Sequence, residues 1–85
     1  MAVDILYFAW VREAIGKAGE TLDPPGTVET IDGLIDWLET RGDGYVQAFA
    51  DRSRVRAAAN QCFVAFDAPL AGVAEVAFFP PVTGG

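Results

Sequence analysis

The sequence has no histidine and a single cysteine, Cys62. A lone cysteine excludes an internal disulfide. With no histidine and no second cysteine, an ordinary zinc site lacks its ligands. A Ser-His or Cys-His nucleophilic pair cannot be built at all. Basic residues are scarce: six stand against twelve acidic ones, for a net charge of −6, and the pI is near 4.2. Nucleic-acid binding needs a basic footprint and is not expected. Anionic membranes are disfavoured by the same sign, whereas an electropositive protein partner is favoured. Long hydrophobic runs are missing too. The run Ile5-Leu6-Tyr7-Phe8-Ala9-Trp10-Val11 is too short to span a bilayer. It follows Asp4 rather than a basic segment, so it does not read as a signal peptide. A soluble, cytoplasmic protein is the expectation, with no membrane and no nucleic acid among its partners.

What is present is a short, apolar chain. Of its 85 residues, 52% are hydrophobic and 21% charged. That composition supports one packed domain and excludes disorder as the main state. A domain this small leaves roughly a third or more of its unfolded-chain surface exposed. Some apolar side chains must therefore lie outside, which is a first sign of a partner surface.

Residues 2–8 read as a strand, apolar and rich in β-branched and aromatic side chains. Arg12 to Gly16 predicts a short helical turn stopped by its glycine, and Glu20 to Leu22 a short strand. Asp23-Pro24-Pro25-Gly26 is a loop. Thr27 reads as the N-cap of a helix with Val28, Ile31, Leu34, Ile35 and Leu38 on one face and Gly42 as its stop. Gly44 to Phe49 is a loop with a short helical piece. Val55–Ala59 and Cys62–Phe66 read as strands joined at Asn60-Gln61, and Glu75–Phe79 as a last strand stopped by Pro80-Pro81. One amphipathic helix covers one face of such a sheet and leaves the other open.

Strand parity says which side chains face outward. Val3, Ile5 and Tyr7 share one face of the first strand; Asp4, Leu6 and Phe8 share the other, which Asp4 marks as open. Glu75 marks Ala77 and Phe79 as outward in the last strand, and Phe63 is the odd residue of its own. Phe8, Phe63 and Phe79 are thus expected on the exposed face. Aromatics clustered there form a patch rather than scatter.

The end of the chain carries the chemistry. Pro80-Pro81 forces an extended exit from the sheet, and Gly84-Gly85 has no side chains, so the last residues fit a narrow channel. The α-carboxylate of Gly85 is ionised at neutral pH. On a thin arm it can attack the α-phosphate of ATP inside another protein. The resulting acyl-adenylate is open to a sulfur or amine nucleophile.

Leu6-Tyr7-Phe8-Ala9, followed by Arg12-Glu13-Ala14, resembles the start of the molybdopterin synthase small subunit family. The ending Glu75-Val76-Ala77-Phe78-Phe79-Pro80-Pro81-Val82-Thr83-Gly84-Gly85 is similar to that family's signature nearly residue for residue. Asn60-Gln61 after an apolar strand also fits. The resemblance implies an α+β, ubiquitin-like β-grasp, a mixed sheet packed on one main helix. Residues 1–79 would form the domain and 80–85 an extended tail.

The resemblance further implies that Gly85 is adenylated by a ubiquitin-activating-like adenylyltransferase and converted to a thiocarboxylate by way of a sulfur donor protein. Its sulfur would then go to a cyclic pyranopterin precursor in a separate large subunit, usually in a heterotetramer. Gly84 would be the slim neighbour that lets Gly85 reach the pocket. Phe8, Phe63, Phe79, Pro80, Pro81, Val82 and Thr83 would meet the partner. This chain would bind no cofactor and no metal, ATP being used by the activating enzyme, and it would not be catalytic alone. One departure is visible. The family's acidic Asp-Gly-Asp turn is replaced by Ala71-Gly72-Val73-Ala74, which puts the turn geometry in question. Other functions compatible with a Gly-Gly end are sulfur supply for thiamine or cysteine, and a ubiquitin-like protein modifier.

Several residues receive plainer readings. Cys62 has no activating neighbour and is expected as a buried structural thiol. Arg52, Arg54 and Arg56 read as a solvated strand edge in preference to a contact with an acidic partner patch. The acids of the long helix read as its wet face. Trp10 and Trp37 are expected as core or rim packing.

Overall fold

The computed structural model describes residues 2–81. The chain runs β1 (Val3–Tyr7), α1 (Ala9–Ile15), β2 (Gly19–Leu22), α2 (Ile31–Glu39), α3 (Asp43–Ala48), a 3-10 turn (Arg52–Arg54), β3 (Arg56–Ala59), β4 (Cys62–Val64) and β5 (Glu75–Phe79). The strands form one sheet in the order β2-β1-β5-β3-β4. β1 and β5 pair in parallel at its centre, and every other pair is antiparallel. This is the mixed-sheet, α+β β-grasp.

Alternation builds the core. Val3, Ile5 and Tyr7 of β1 are buried together with Val76 and Phe78 of β5 and Ala57 of β3. Against them α2 presses Ile31, Leu34, Ile35 and Leu38, all with no exposed surface. α1 and α3 join α2 on this face through Val11, Tyr45, Ala48 and Phe49, so the helical layer is broader than a single main helix. Gly44 makes that layer close: a Cβ there would sit 2.6 Å from the Ala14 carbonyl of α1. The ring of Phe49 meets Phe78 edge-on at 5.0 Å.

The start of α2 differs from the sequence expectation. The helix is capped by Thr30, not Thr27: Thr30 is extended and its side chain accepts from the Gly33 amide. Thr27 and Val28 remain in a turn, with the Val28 N–H bonded to the Pro25 carbonyl at 2.9 Å. The first free amides of the helix, those of Ile31 and Asp32, donate to the carbonyls of Ala68 and Phe66. The segment crossing the helix end therefore decides where it begins. At the other end the helix stops at Glu39, and Gly42 instead precedes α3.

Two polar clusters fasten the helices. Arg52 reaches from the 3-10 turn to Asp32, Asp36 and Glu39 on α2, at 2.7, 2.5 and 2.8 Å. This corrects two expectations. Arg52 is not a solvated edge charge, and these acids are not merely a wet face. Burial alone would lower the affinity of Arg52 for its proton, but the three carboxylates outweigh that and raise it. In the second cluster Glu20 of β2 accepts hydroxyl hydrogen bonds from Tyr7, at 2.8 Å, and from Tyr45 of α3. Lys17 adds an ammonium at 3.2 Å. Burial pushes the Glu20 carboxyl upward, yet the bonds from Tyr45, Tyr7 and Lys17 together hold it below its ordinary range. Burial, and then the Glu20 carboxylate, lift both tyrosines above the usual phenol range.

The Asn60-Gln61 hairpin forms as read, with φ of 50° and 70° at the two residues. That is a two-residue turn with both centres left-handed and no glycine. The Asn60 carboxamide oxygen accepts from the amides of Ala74 and Glu75 at 2.9 and 3.1 Å, tying the turn to the start of β5. The acid-free turn before β5 is well formed: Gly72 takes φ 78° and the Val73 amide bonds the Leu70 carbonyl.

Two predictions follow from the polar clusters. Arg52→Ala leaves three neighbouring carboxylates unscreened, and should lower unfolding free energy by about 1–2 kcal/mol in low-salt urea titrations. The gap should narrow as salt is added, because these groups are partly exposed. Glu20→Gln should cost about 1–2 kcal/mol at pH 7 through weakened charge-assisted bonds. The native carboxyl titrates below its unfolded value of about 4.3. Its contribution is therefore full above that value and is lost as pH falls through the lower native one. Urea midpoints of wild type and variant should converge on acidification below about pH 4.

Candidate functional site

The face of the sheet away from the helices is open, and strand register orders it in rows. Asp4 lies beside Glu75, then Leu6 beside Ala77. Ala77 in turn pairs with Ala58, and Ala58 with Phe63 of β4. In the next row Phe79 pairs with Arg56. Phe8 continues β1 alongside, its amide bonded to the Phe78 carbonyl at 3.1 Å. The outward parity of Phe8, Phe63 and Phe79 is as read from the sequence. Phe63 is 80% and Phe8 48% exposed, and Phe79 is half-buried. The rings of Phe63 and Phe79 meet at 5.6 Å. Beside them runs a shallow groove of about 250 Å³, lined by Arg56, Ala57, Phe63, Val64 and Phe79.

Local backbone aims these groups. Ala9 has φ 53°, a left-handed conformation that costs an alanine about 1–2 kcal/mol. It swings the chain from β1 into α1 directly after Phe8, so Phe8 is the last residue of this segment to bond β5. Pro80 and Pro81 follow β5 outside any strand and half-buried. Proline lacks an N–H, so the ladder ends there. The chain leaves the sheet between Phe8 and Arg56, at the edge of the aromatic patch. Val82, Thr83, Gly84 and Gly85 lie outside the described residues. A second groove, of about 570 Å³ and lined by Val3, Pro24, Pro25, Val28, Leu70 and Val73 among others, opens at the start of β1. Because β1 and β5 are parallel, that is the opposite end from the tail.

Cys62 requires correction. It is exposed, not buried. Its strand is an edge of the sheet and its register partner, Ala59, is the last residue of β3, so the helical layer does not extend over it. The aromatic rim was only half legible. Trp10 and Trp37 pack partly buried against the core, but each also carries a guanidinium over its ring: Arg54 over Trp10 at 5.6 Å and Arg41 over Trp37 at 5.2 Å. The place of Arg56 beside Phe79 went unread, since it depends on the register of β3 against β5.

A mixed five-stranded sheet with helices on one face and an open aromatic face on the other defines the class as a ubiquitin-like β-grasp. The chain belongs to the ThiS family, whose model matches residues 5–85. It is 39% identical over 83 residues to the molybdopterin synthase sulfur carrier subunit of Escherichia coli K12, covering 98% of this chain and 99% of that one. The protein of the same name from Haemophilus influenzae is 31% identical over the same shares. Among solved structures, a putative molybdopterin converting factor subunit 1 from Pyrococcus furiosus superposes with TM-score 0.75 at 25% identity, covering 96% of this chain and 99% of that one. SAMP1 from Haloferax volcanii superposes with TM-score 0.72 at 24% identity over the whole of both chains, a likeness of fold. No helix among the described residues is long and apolar enough to cross a membrane.

The outward faces predict how substitutions there behave. Phe63→Ala and Phe8→Ala remove exposed rings and should keep a single cooperative thermal transition, with a stability change within about 1 kcal/mol. Phe78→Ala, on the buried face, should cost about 3–5 kcal/mol. Calorimetry of the three variants reads the difference directly. Equal losses would mean that the two faces are misassigned.

Proposed function

We propose that this protein is the sulfur carrier subunit of molybdopterin synthase in molybdenum cofactor biosynthesis. The observation that carries the reading is the full-length relationship to curated proteins of that name, at 39% and 31% identity. The name those relatives share favours this over a thiamine or cysteine sulfur carrier and over a protein modifier. The exit of the chain beside the open aromatic face supports it physically.

On this reading the domain is a handle and the tail is the reagent. Gly85 is adenylated at its α-carboxylate by a ubiquitin-activating-like adenylyltransferase, which uses ATP. A sulfur donor protein then supplies the sulfur that displaces AMP, leaving a thiocarboxylate. The tail enters the large subunit, which binds the pyranopterin precursor, and delivers its sulfur there. Two carriers and two large subunits make the heterotetramer. The patch of Phe8, Phe63 and Phe79, continued by Pro80, Pro81, Val82 and Thr83, seats the domain so that the arm points inward. Gly84 gives the arm its slim cross-section. The chain itself binds no cofactor or metal, and its reactions take place in the cytoplasm. Cys62 is exposed, but the chemistry rests on the main-chain terminus and not on this thiol.

The terminus makes a sharp test. Deleting Gly85, or adding one residue after it, should abolish sulfur transfer while leaving the melting transition where it is. One extended residue moves the reacting atom by about 3.3 Å, and a displacement of even about 1 Å costs about 100-fold in rate. Purified variants are assayed with the activating enzyme and the large subunit, and intact mass reports the thiocarboxylate. Near-normal pterin conversion by an extended chain that mass spectrometry shows to be unprocessed would overturn the assignment of Gly85.

A further inference from the structure

The open face is charged with opposite signs at its two ends. At the tail end Arg56 sits beside Phe79 on the open face. Arg54 stands at the same end of the sheet, over the Trp10 ring of α1 and close enough to the exposed Asp51 carboxylate to favour its ionised form. Both arginines are exposed. Among the described residues the side-chain ion pairs of the fold are made by Lys17 and Arg52, and neither of these two arginines takes part. Arg56 donates to the Ser53 and Val55 carbonyls, each at 3.0 Å. Those bonds hold its guanidinium in place without neutralising it. At the far end Asp4 and Glu75 are register partners on the same face. The four steps along β5 from Glu75 to Phe79 separate the two ends by about 13 Å. The ground between is apolar, formed by Leu6, Ala77 and Phe63.

We propose that this gradient sets the orientation in which the large subunit docks. The partner presents carboxylates beside the mouth of the pocket that takes the tail, facing Arg54 and Arg56. It presents basic groups on the far side, facing Asp4 and Glu75. The inference rests on the docking reading above and adds the partner's charge pattern. An aromatic patch attracts without direction, so it tolerates a rotated complex in which the tail misses its pocket. Opposite charges at the two ends make the rotated complex face like against like, which is costly. The separation exceeds the Debye length of about 8 Å at physiological salt, so each end reads its own counterpart.

Association of the full chain with its large subunit is measured by stopped flow at low and high salt. Arg54→Glu combined with Arg56→Glu should slow association about tenfold at low salt, and the gap should close at high salt. The milder pair Arg54→Gln and Arg56→Gln should fall between, with an unchanged melt. The sign is diagnostic: simple attraction of an acidic chain to a basic partner would make the reversed pair associate faster. Asp4→Lys combined with Glu75→Lys should also slow association at low salt. Arginine variants that bind as fast as wild type or faster, while Phe79→Ala weakens the complex, would overturn the charge pattern and leave the docking face standing. Full-strength binding by Phe79→Ala would overturn the docking face, and the charge pattern with it.

Discussion

The parallel pairing of β1 with β5 sets the position of every other element. Parallel neighbours cannot be joined by a tight turn, so the chain between them has to travel across a face of the sheet and back. That crossover contains α2 and α3, and it supplies the one apolar layer the sheet receives. Once Ile5, Tyr7, Val76 and Phe78 are committed to that layer, alternation turns Leu6, Phe8, Ala77 and Phe79 to the other side. The bare face follows from the buried one. Parallel direction also brings the end of β5 level with the end of β1, so the chain emerges beside Phe8 and not at the far edge.

Polar links do a different job from the core. The apolar contacts lie under the central strands, whereas Glu20 and Arg52 act at the periphery. Glu20 joins the edge strand β2 to β1 through the Tyr7 hydroxyl and to α3 through that of Tyr45. Arg52 joins the approach to β3 to the outer side of α2. Each spans a gap between elements distant in sequence, where one-sided burial alone would leave the edge loosely held.

Much of this was legible in the sequence, for reasons that also explain the errors. Parity worked because Asp4 and Glu75 each label one side of their strand, so Phe8 and Phe79 needed no further information. The helix start was misplaced because Thr27 and Thr30 are equally good caps by composition. The choice between them belongs to the Ala68 and Phe66 carbonyls, which arrive from far along the chain. Cys62 was misread because burial propensity says nothing about reach: its strand is an edge whose Val64 packs against the core while its Cys62 end stays exposed. Arg52 was misread because its turn had no periodic signal, and only the packed fold brings it to α2. The terminal motif was legible as a resemblance, and the described residues carry it as far as Pro81.

The central pairing has a mechanical side as well. The chain enters β1 at one end of the sheet and leaves β5 at the other, along neighbouring parallel strands. Tension between the two termini therefore runs along the strands and loads their hydrogen bonds in shear. The bonds between β1 and β5 share such a load and fail together, whereas a hairpin pulled at its open end unzips one bond at a time. β5 is gripped on its other side by β3 over the same span. A domain built this way resists unfolding when it is pulled by the chain that follows β5.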